Sequence, residues 1–114
     1  MGTEQRLNFY KKELSAELGN IMDYWIDNTP DIAEGGFYGR IDNDNKVMPG
    51  SPKGSVLNAR ILWSFSASYN LNSKKEYLES AEHAYQYIIN HFLDKEYGGV
   101  YWTVDPAGNK LDSK

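Results

Sequence analysis

The 114-residue sequence contains no cysteine, which excludes disulfide bonds and thiolate chemistry. It has no apolar run of about 18 residues, the length a membrane helix needs. Its opening, Met-Gly-Thr-Glu-Gln-Arg, lacks the apolar stretch of a signal peptide. The Lys and Arg residues are scattered and the net charge is −4, so no basic surface for nucleic acid is indicated. We therefore expect a cytoplasmic protein that binds neither nucleic acid nor a membrane.

Tyrosine is abundant: nine tyrosines make up most of an aromatic fraction of 14%. Tyr and Trp combine an apolar face with a hydrogen-bonding edge, which suits both a packed core and a sugar-binding surface. Composition leaves these two alternatives open. The length is that of one small domain.

Three segments have helical periodicity. The first, about Glu4 to Asp27, and the third, about Lys74 to Phe92, each carry one apolar stripe and one charged face. The second, about Ser55 to Tyr69, is apolar all round except for Arg60, which is typical of a helix buried on every side. The predicted order is therefore outer, inner, outer.

An internal repeat follows the first and third helices. Gly35 to Asp42 and Gly98 to Asp105 share the pattern Gly-Gly-apolar-Tyr-x-x-apolar-Asp, followed by turn residues and Lys-apolar, at an offset of about 63 residues. Alternating side chains around an Asn/Gly turn predict a short β-hairpin in each copy. Because successive helices reverse direction, both hairpins are expected on one rim, with Arg60 directly beneath it.

One outer-inner-outer set cannot cover a helix that is apolar on all sides, and repeat architectures need several units to close a core. We therefore expect residues 1–114 to be the N-terminal, incomplete part of a single larger domain. A small, complete three-helix domain is the alternative. An incomplete domain would expose apolar surface on the second helix, so the isolated chain is expected to self-associate.

Arg60 is the strongest candidate for chemistry. A lone guanidinium on an apolar helix requires a partner, because burying an unpaired charge is costly. The partner is either a substrate oxygen on which negative charge develops or a structural carboxylate. On the rim, Tyr38 and its repeat equivalent Tyr101 are hairpin residues, and a rim Tyr such as Tyr38 could also stack on a sugar ring.

The remaining polar candidates are assigned structural roles. His83 and His91 lie eight residues apart on the third helix, without metal-ligand spacing, and are interpreted as exposed outer-helix residues. Asp42 and Asp105 are equivalent in the repeat and are interpreted as turn residues. The sequence contains no phosphate-binding loop, Ser nucleophile motif or metal cluster.

The segments Glu34 to Asp42 and Lys53 to Ala67, together with the second hairpin, resemble the cellobiose 2-epimerases, a branch of the N-acylglucosamine 2-epimerase family. The run Leu-Asn-Ala-Arg-Ile-Leu-Trp around Arg60 is fairly specific to that branch. The resemblance covers nearly the whole chain. It implies an all-α fold, an α/α barrel (toroid), of which this chain would form an outer-inner-outer segment with two short β-hairpins on one rim.

The resemblance also implies an activity: epimerisation, without metal or cofactor, at C2 of the reducing-end glucose of cellobiose or a related β-1,4-disaccharide. Two histidines of the family act as general acid and base through a cis-enediolate, and an inner-helix Arg assists. Arg60 matches that Arg within its motif, which implies a catalytic and substrate-binding role. The family histidines belong to later helices and do not match His83 or His91, so this chain alone is expected to be inactive.

Two other classes of function remain open. One is another α/α-barrel sugar enzyme, either an aldose–ketose isomerase or a glycoside hydrolase. A hydrolase would need two carboxylates flanking the scissile bond, and no compelling pair is present. The other is a non-catalytic helical module whose rim aromatic residues contact carbohydrate or a partner.

Overall fold

The computed structural model describes residues 2–112. Three α-helices, a π-helical turn and three short strands make up its regular structure. They are α1 (Thr3–Asn28), β1 (Lys53–Gly54), α2 (Ser55–Asn72), α3 (Lys75–Tyr87), the π-helical turn (Ile88–Phe92), β2 (Thr103–Val104) and β3 (Lys110–Asp112). The three predicted helices are confirmed. The third differs from the prediction because its last turn widens into a π-helix.

Helix α1 ends at a threonine cap. The backbone N–H and the hydroxyl of Thr29 both donate to the carbonyl of Trp25, at 3.2 and 2.6 Å. Pro30 follows, and proline has no N–H with which to continue a helix. None of the helices described within residues 2–112 is long and apolar enough to cross a membrane.

The main hydrophobic core lies where α1, α2, α3 and the first hairpin meet. Its buried members are Met22, Phe37, Ile61, Phe65, Tyr77, Ala81 and Ala84. A second, smaller cluster lies under the second hairpin and consists of Tyr87, Phe92 and Val104. The larger core therefore joins the helices to the first copy of the repeat, and the smaller one joins α3 to the second copy.

Helix α2 exposes apolar surface, as the sequence predicts for a single outer-inner-outer set. It buries a single stripe, formed by Asn58, Ile61, Phe65 and Ser68. Its opposite side is open, and Trp63 is 73% exposed. The reason is that residues 2–112 supply only α1 and α3 as helical neighbours, which is too few to surround a third helix.

The N-terminal half of α1 is also uncovered. Leu7, Tyr10 and Leu14, three members of its predicted apolar stripe, are all more than half exposed, and Met22 is the buried residue of this helix. The described residues thus contain part of a helical layer, and the closed barrel implied by the resemblance is not contained in them.

The strands form one small antiparallel sheet in the order β1-β2-β3. Strands β2 and β3 are the predicted second hairpin, and β1 pairs with β2 so that Lys53 lies opposite Val104. The first hairpin is held by isolated bridges, including that between Ile41 and Val47. The sequence did not predict β1, whose pairing joins the start of α2 to the second hairpin.

The two copies of the repeat have the same backbone hydrogen bonds. The N–H of Asp31 donates to Gly36 O at 2.9 Å, and the N–H of Asp94 donates to Gly99 O at 2.9 Å. Both residues of the second pair lie 63 positions after those of the first (94 − 31 and 99 − 36). The repeat inferred from side-chain pattern is therefore a repeat of backbone structure.

The interpretation of Asp42 and Asp105 as turn residues is confirmed. Oδ1 of Asp42 accepts a hydrogen bond from the N–H of Lys46 at 2.8 Å. Oδ1 of Asp105 accepts one from the N–H of Asn109 at 2.9 Å. Each aspartate therefore closes the tip of its own hairpin, a usual role of Asp in turns.

Candidate functional site

A buried lysine joins the two hairpins at the rim. Lys53 is 1% exposed. Its Nζ donates to Oδ2 of Asp31 at 2.9 Å and to the carbonyl of Gly35 at 2.6 Å, both in the first copy of the repeat. It also donates to the carbonyl of Pro106 at 2.9 Å, in the second copy. One ammonium group thus bonds both hairpins and lies immediately before α2.

This cluster was not predicted from the sequence, although a signal for it is present there. An aspartate lies four residues before the Gly-Gly pair in both copies, at Asp31 and Asp94. A repeated carboxylate next to tight glycine turns indicates a role inside the hairpin, and a buried carboxylate requires a cationic or hydrogen-bonding partner. Nothing local to Lys53 identifies it as that partner.

The charges of the cluster stabilise one another. Burial raises the pKa of the Asp31 carboxyl. The hydrogen bond and charge of Lys53, with the backbone N–H groups of Ala33 and Glu34, outweigh that effect and leave the pKa below its usual 3.8. Asp31 is therefore a carboxylate at neutral pH, as a buried ammonium requires.

Tyr87 forms the floor of the cluster. The Nζ atom of Lys53 lies 5.2 Å from the centroid of its ring, within cation–π distance. Burial raises the pKa of Tyr87 to about 12, and the negative charges of Asp31, Asp105 and Glu34 act in the same direction. The phenol is therefore neutral at physiological pH.

The two histidines support the hairpins. Nε2 of His83 lies 2.8 Å from the carbonyl oxygen of Gly36, and Nδ1 of His91 lies 3.3 Å from that of Gly108. A carbonyl only accepts, so each ring nitrogen donates. His83 is exposed as predicted, whereas His91 is half-buried against the second hairpin, contrary to the prediction. Each histidine thus contacts a different copy of the repeat.

Arg60 lies in the second turn of α2, below the rim, as expected. It is exposed, and it lines a cleft of about 250 Å³ between α1 and α2. No carboxylate within residues 2–112 forms a salt bridge with it. The structural ion pair considered from the sequence is therefore not formed by this part of the chain, and the guanidinium is open to another acceptor.

Tyr38 lines a neighbouring cleft of about 260 Å³, between the end of α1 and the first hairpin. Trp25 and Leu57 line both this cleft and the one that contains Arg60. In the second copy, the Nζ atom of Lys110 lies 5.3 Å from the ring centroid of Tyr101. Arg60 and Tyr38 thus lie on either side of a shared apolar wall.

This arrangement offers donors beside aromatic surface. A guanidinium carries five N–H donors in a planar fork, and a Tyr or Trp ring offers a flat apolar face. Together these suit a ligand with many oxygens and flat carbon faces. Among the residues that the structure describes, no group of three or more His, Asp or Glu side chains could hold a metal ion.

Comparison with known proteins gives a consistent set of relatives. The profile of the N-acylglucosamine 2-epimerase (GlcNAc 2-epimerase) family matches residues 36–114. The chain is 48% identical over 105 residues to a cellobiose 2-epimerase of Bacteroides fragilis, covering 91% of this chain and 27% of that protein. It is 28% identical over 102 residues to a D-mannose isomerase of Marinomonas mediterranea, covering 90% and 25%.

A solved structure has the same fold over this segment. The cellobiose 2-epimerase of Spirochaeta thermophila superposes with a TM-score of 0.78 at 33% sequence identity, over 89% of this chain and 26% of that one. The present chain spans about a quarter of the length of these relatives. The profile match covers well over half of it, and the chain therefore belongs to the N-acylglucosamine 2-epimerase family.

Proposed function

We propose that this chain forms the N-terminal part of a single α/α-barrel domain that inverts C2 of the reducing-end glucose of cellobiose or a related β-1,4-disaccharide. The observation that carries the proposal is Arg60: its guanidinium has no carboxylate partner within residues 2–112 and lines a cleft below the rim. The 48% identity to a cellobiose 2-epimerase supports the choice of reaction and sugar.

The proposed chemistry assigns Arg60 to the reacting oxygens. A base removes the proton from C2 of the open-chain sugar, and the electron pair moves through C1 to give a cis-enediolate with negative charge on its oxygens. Arg60 donates hydrogen bonds to that charge through its planar fork of N–H groups. Return of a proton to the opposite face of C2 completes the inversion.

In this proposal the acid–base pair is supplied outside residues 1–114, so the chain alone is inactive. Tyr38 stacks against a sugar ring, and inner helices from the rest of the domain cover the open side of α2. No metal or cofactor takes part. The location is cytoplasmic, which fractionation of the source cells would test.

The test is an incubation of the full-length protein with cellobiose in D₂O, followed by NMR. Conversion to glucosyl-mannose with deuterium at C2 is expected, because an enediolate exchanges its C2 proton with solvent. The 114-residue chain alone should show neither conversion nor exchange. Epimerisation without deuterium incorporation would contradict the enediolate, and absence of any sugar conversion by the full-length protein would contradict the function.

A second candidate is an aldose–ketose isomerase, favoured by the match to a D-mannose isomerase. The same enediolate yields a ketose when the proton returns to C1 instead of C2. The product distinguishes the two: a ketose signal in the NMR experiment favours isomerisation, and a C2 epimer favours the primary proposal.

A further inference from the structure

Lys53 is fully engaged by the two hairpins. An ammonium group has three donors, and the three bonds to Asp31, Gly35 and Pro106 use all of them. Its side chain is 1% exposed and that of Asp31 is 4% exposed, so water does not replace a lost bond. A buried charge that loses a partner is strongly disfavoured, which restricts this cluster to one arrangement.

The start of α2 depends on that arrangement. Its N-cap residue is Gly54, which has no side chain with which to cap the helix. The other contacts that hold this end are the pairing of β1 with β2 and the hydrogen bond from the N–H of Ser55 to the carbonyl of Trp102, at 3.0 Å. Within the described residues, the hydrogen bonds that join the start of α2 to the first copy of the repeat are those of Lys53.

Arg60 follows Lys53 by seven residues, about two helical turns. A shift of the first turn of α2 therefore carries directly to the guanidinium. Tyr38 belongs to the first hairpin, which Lys53 contacts through Asp31 and Gly35. Lys53 therefore helps to set the relative placement of Arg60 and Tyr38, together with the packing of Phe37 in the main core.

We infer that Lys53 is a positioning residue, which with Asp31 fixes the start of α2 against both hairpins and so places Arg60 and Tyr38 for one substrate. The catalytic consequence rests on the proposed function. The structural consequence, a single arrangement of α2 and the hairpins, does not depend on any activity. The two consequences are measured separately.

The first measurement compares variants of the full-length protein. Lys53→Met keeps the aliphatic stem and removes all three donors. We expect kcat for cellobiose to fall about 100-fold, the size of loss that follows a displacement of about 1 Å in a catalytic group. KM should change less than kcat, because Arg60 acts mainly on the charge that develops on the sugar oxygens during the reaction. Tyr77→Leu is the control, since it weakens the main core from α3, does not line the cleft that contains Arg60 and leaves Lys53 untouched.

The second measurement is hydrogen exchange at the amide of Ser55 and at the two Gly-Gly turns. Lys53→Met should accelerate exchange at these sites, and Tyr77→Leu, compared at an equal loss of Tm, should leave them protected. If Lys53→Met does not fold, Asp31→Asn replaces it, because the amide keeps the size of the side chain and weakens the bond to Lys53. Asp31→Asn should then show the same faster exchange and a kcat about 10-fold lower.

The outcomes separate the two proposals. If the Lys53 and Asp31 variants match Tyr77→Leu in both kcat and Ser55 exchange, the positioning role is overturned. Faster hydrogen exchange at Ser55 with an unchanged kcat would overturn the catalytic consequence of the positioning role. A wild-type protein without any sugar conversion would overturn the proposed function, and with it the catalytic part, whereas the exchange data would still decide whether Lys53 fixes the start of α2.

Discussion

The Nζ atom of Lys53 lies 2.9 Å from Oδ2 of Asp31, between side chains that are 1% and 4% exposed. The two residues are 22 positions apart in the chain. One belongs to the first hairpin and the other leads into α2. This ion pair therefore connects the rim to the helix that carries Arg60, and it makes the stability of the rim dependent on the charge of one carboxylate.

The first prediction concerns the stability of the fold at acid pH. The pKa of Asp31 lies below 3.8 in the folded state. A carboxyl of this kind stabilises the fold above its unfolded pKa, and this contribution is lost as the pH falls through the folded value. Asp31→Asn should therefore lower the unfolding free energy of the full-length protein by roughly 3 kcal/mol at pH 7. The difference from wild type should shrink below about pH 4. Urea unfolding between neutral and acid pH measures it, and a difference independent of pH would contradict the ion pair.

The second prediction compares two glycines of the repeat. Gly36 has φ +68°, and an added Cβ would lie 2.7 Å from Cδ2 of Tyr87. Gly98 has φ +81°, but nothing lies within 4 Å of an added Cβ. Gly98→Ala should therefore cost only the strain of a left-handed residue, about 1–2 kcal/mol. Gly36→Ala should cost more because the aromatic ring must also move. Thermal unfolding of both variants tests this order, and equal losses would contradict the close packing of Tyr87.

The third prediction concerns the hydroxyl of Tyr87, which is buried without a hydrogen-bond partner in the described part of the chain. Tyr87→Phe removes an unsatisfied polar group and should raise the unfolding free energy by about 1 kcal/mol. Tyr24→Phe is the control, because its hydroxyl donates to Asn45 Oδ1 at 3.0 Å and its removal should not stabilise.

The burial of Tyr87 also predicts a loss of stability at alkaline pH. Its pKa rises to about 12 from 10.0. A raised folded pKa gives stability that is present below pH 10 and is lost as the pH rises towards 12. Wild type should therefore lose stability over this range more steeply than Tyr87→Phe. Unfolding curves at several alkaline pH values measure the difference, and parallel curves would contradict the burial of the phenol.

The fourth prediction tests Arg60 in the full-length protein. Arg60→Ala should lower kcat for cellobiose epimerisation by about 100- to 1,000-fold, the usual loss of one oxyanion-stabilising donor. The fold should survive, because Arg60 is exposed and has no salt bridge within residues 2–112. Circular dichroism checks the fold and the NMR assay the rate. Arg6→Ala, at an exposed arginine near the start of α1, is the control, and near-normal turnover of Arg60→Ala would remove the assigned role.

The fifth prediction concerns the isolated 114-residue chain. The open side of α2 and the N-terminal half of α1 expose Trp63, Leu14 and Leu71, each more than 70% accessible. Clustered apolar surface of this kind promotes association. Sedimentation should show concentration-dependent self-association that Trp63→Gln weakens. Ile32→Gln, at an exposed loop position, should have little effect. A monodisperse monomer at high concentration would contradict the prediction.

The sequence predicted the local structure well because the signals are local. Helix α1 follows from apolar spacing, and the hairpins follow from Gly-Gly and Asn/Gly turns. The roles of Asp42 and Asp105 were predicted because each binds an amide only four residues away. An open apolar side on α2 was also predicted, because an apolar helix is buried only where neighbours cover it. Which side is open was not predicted, since that depends on how α1 and α3 pack against α2.

By itself, the sequence determined the helices, the turns and the repeat, since these depend on side chains and backbone angles a few residues apart. The tertiary structure decided where the two hairpins meet. The ammonium of Lys53 reaches carbonyls 18 residues before it and 53 residues after it. No periodicity connects such distant positions. Their contact depends on the packing of α2 and α3, which brings both copies of the repeat to one buried, charged point.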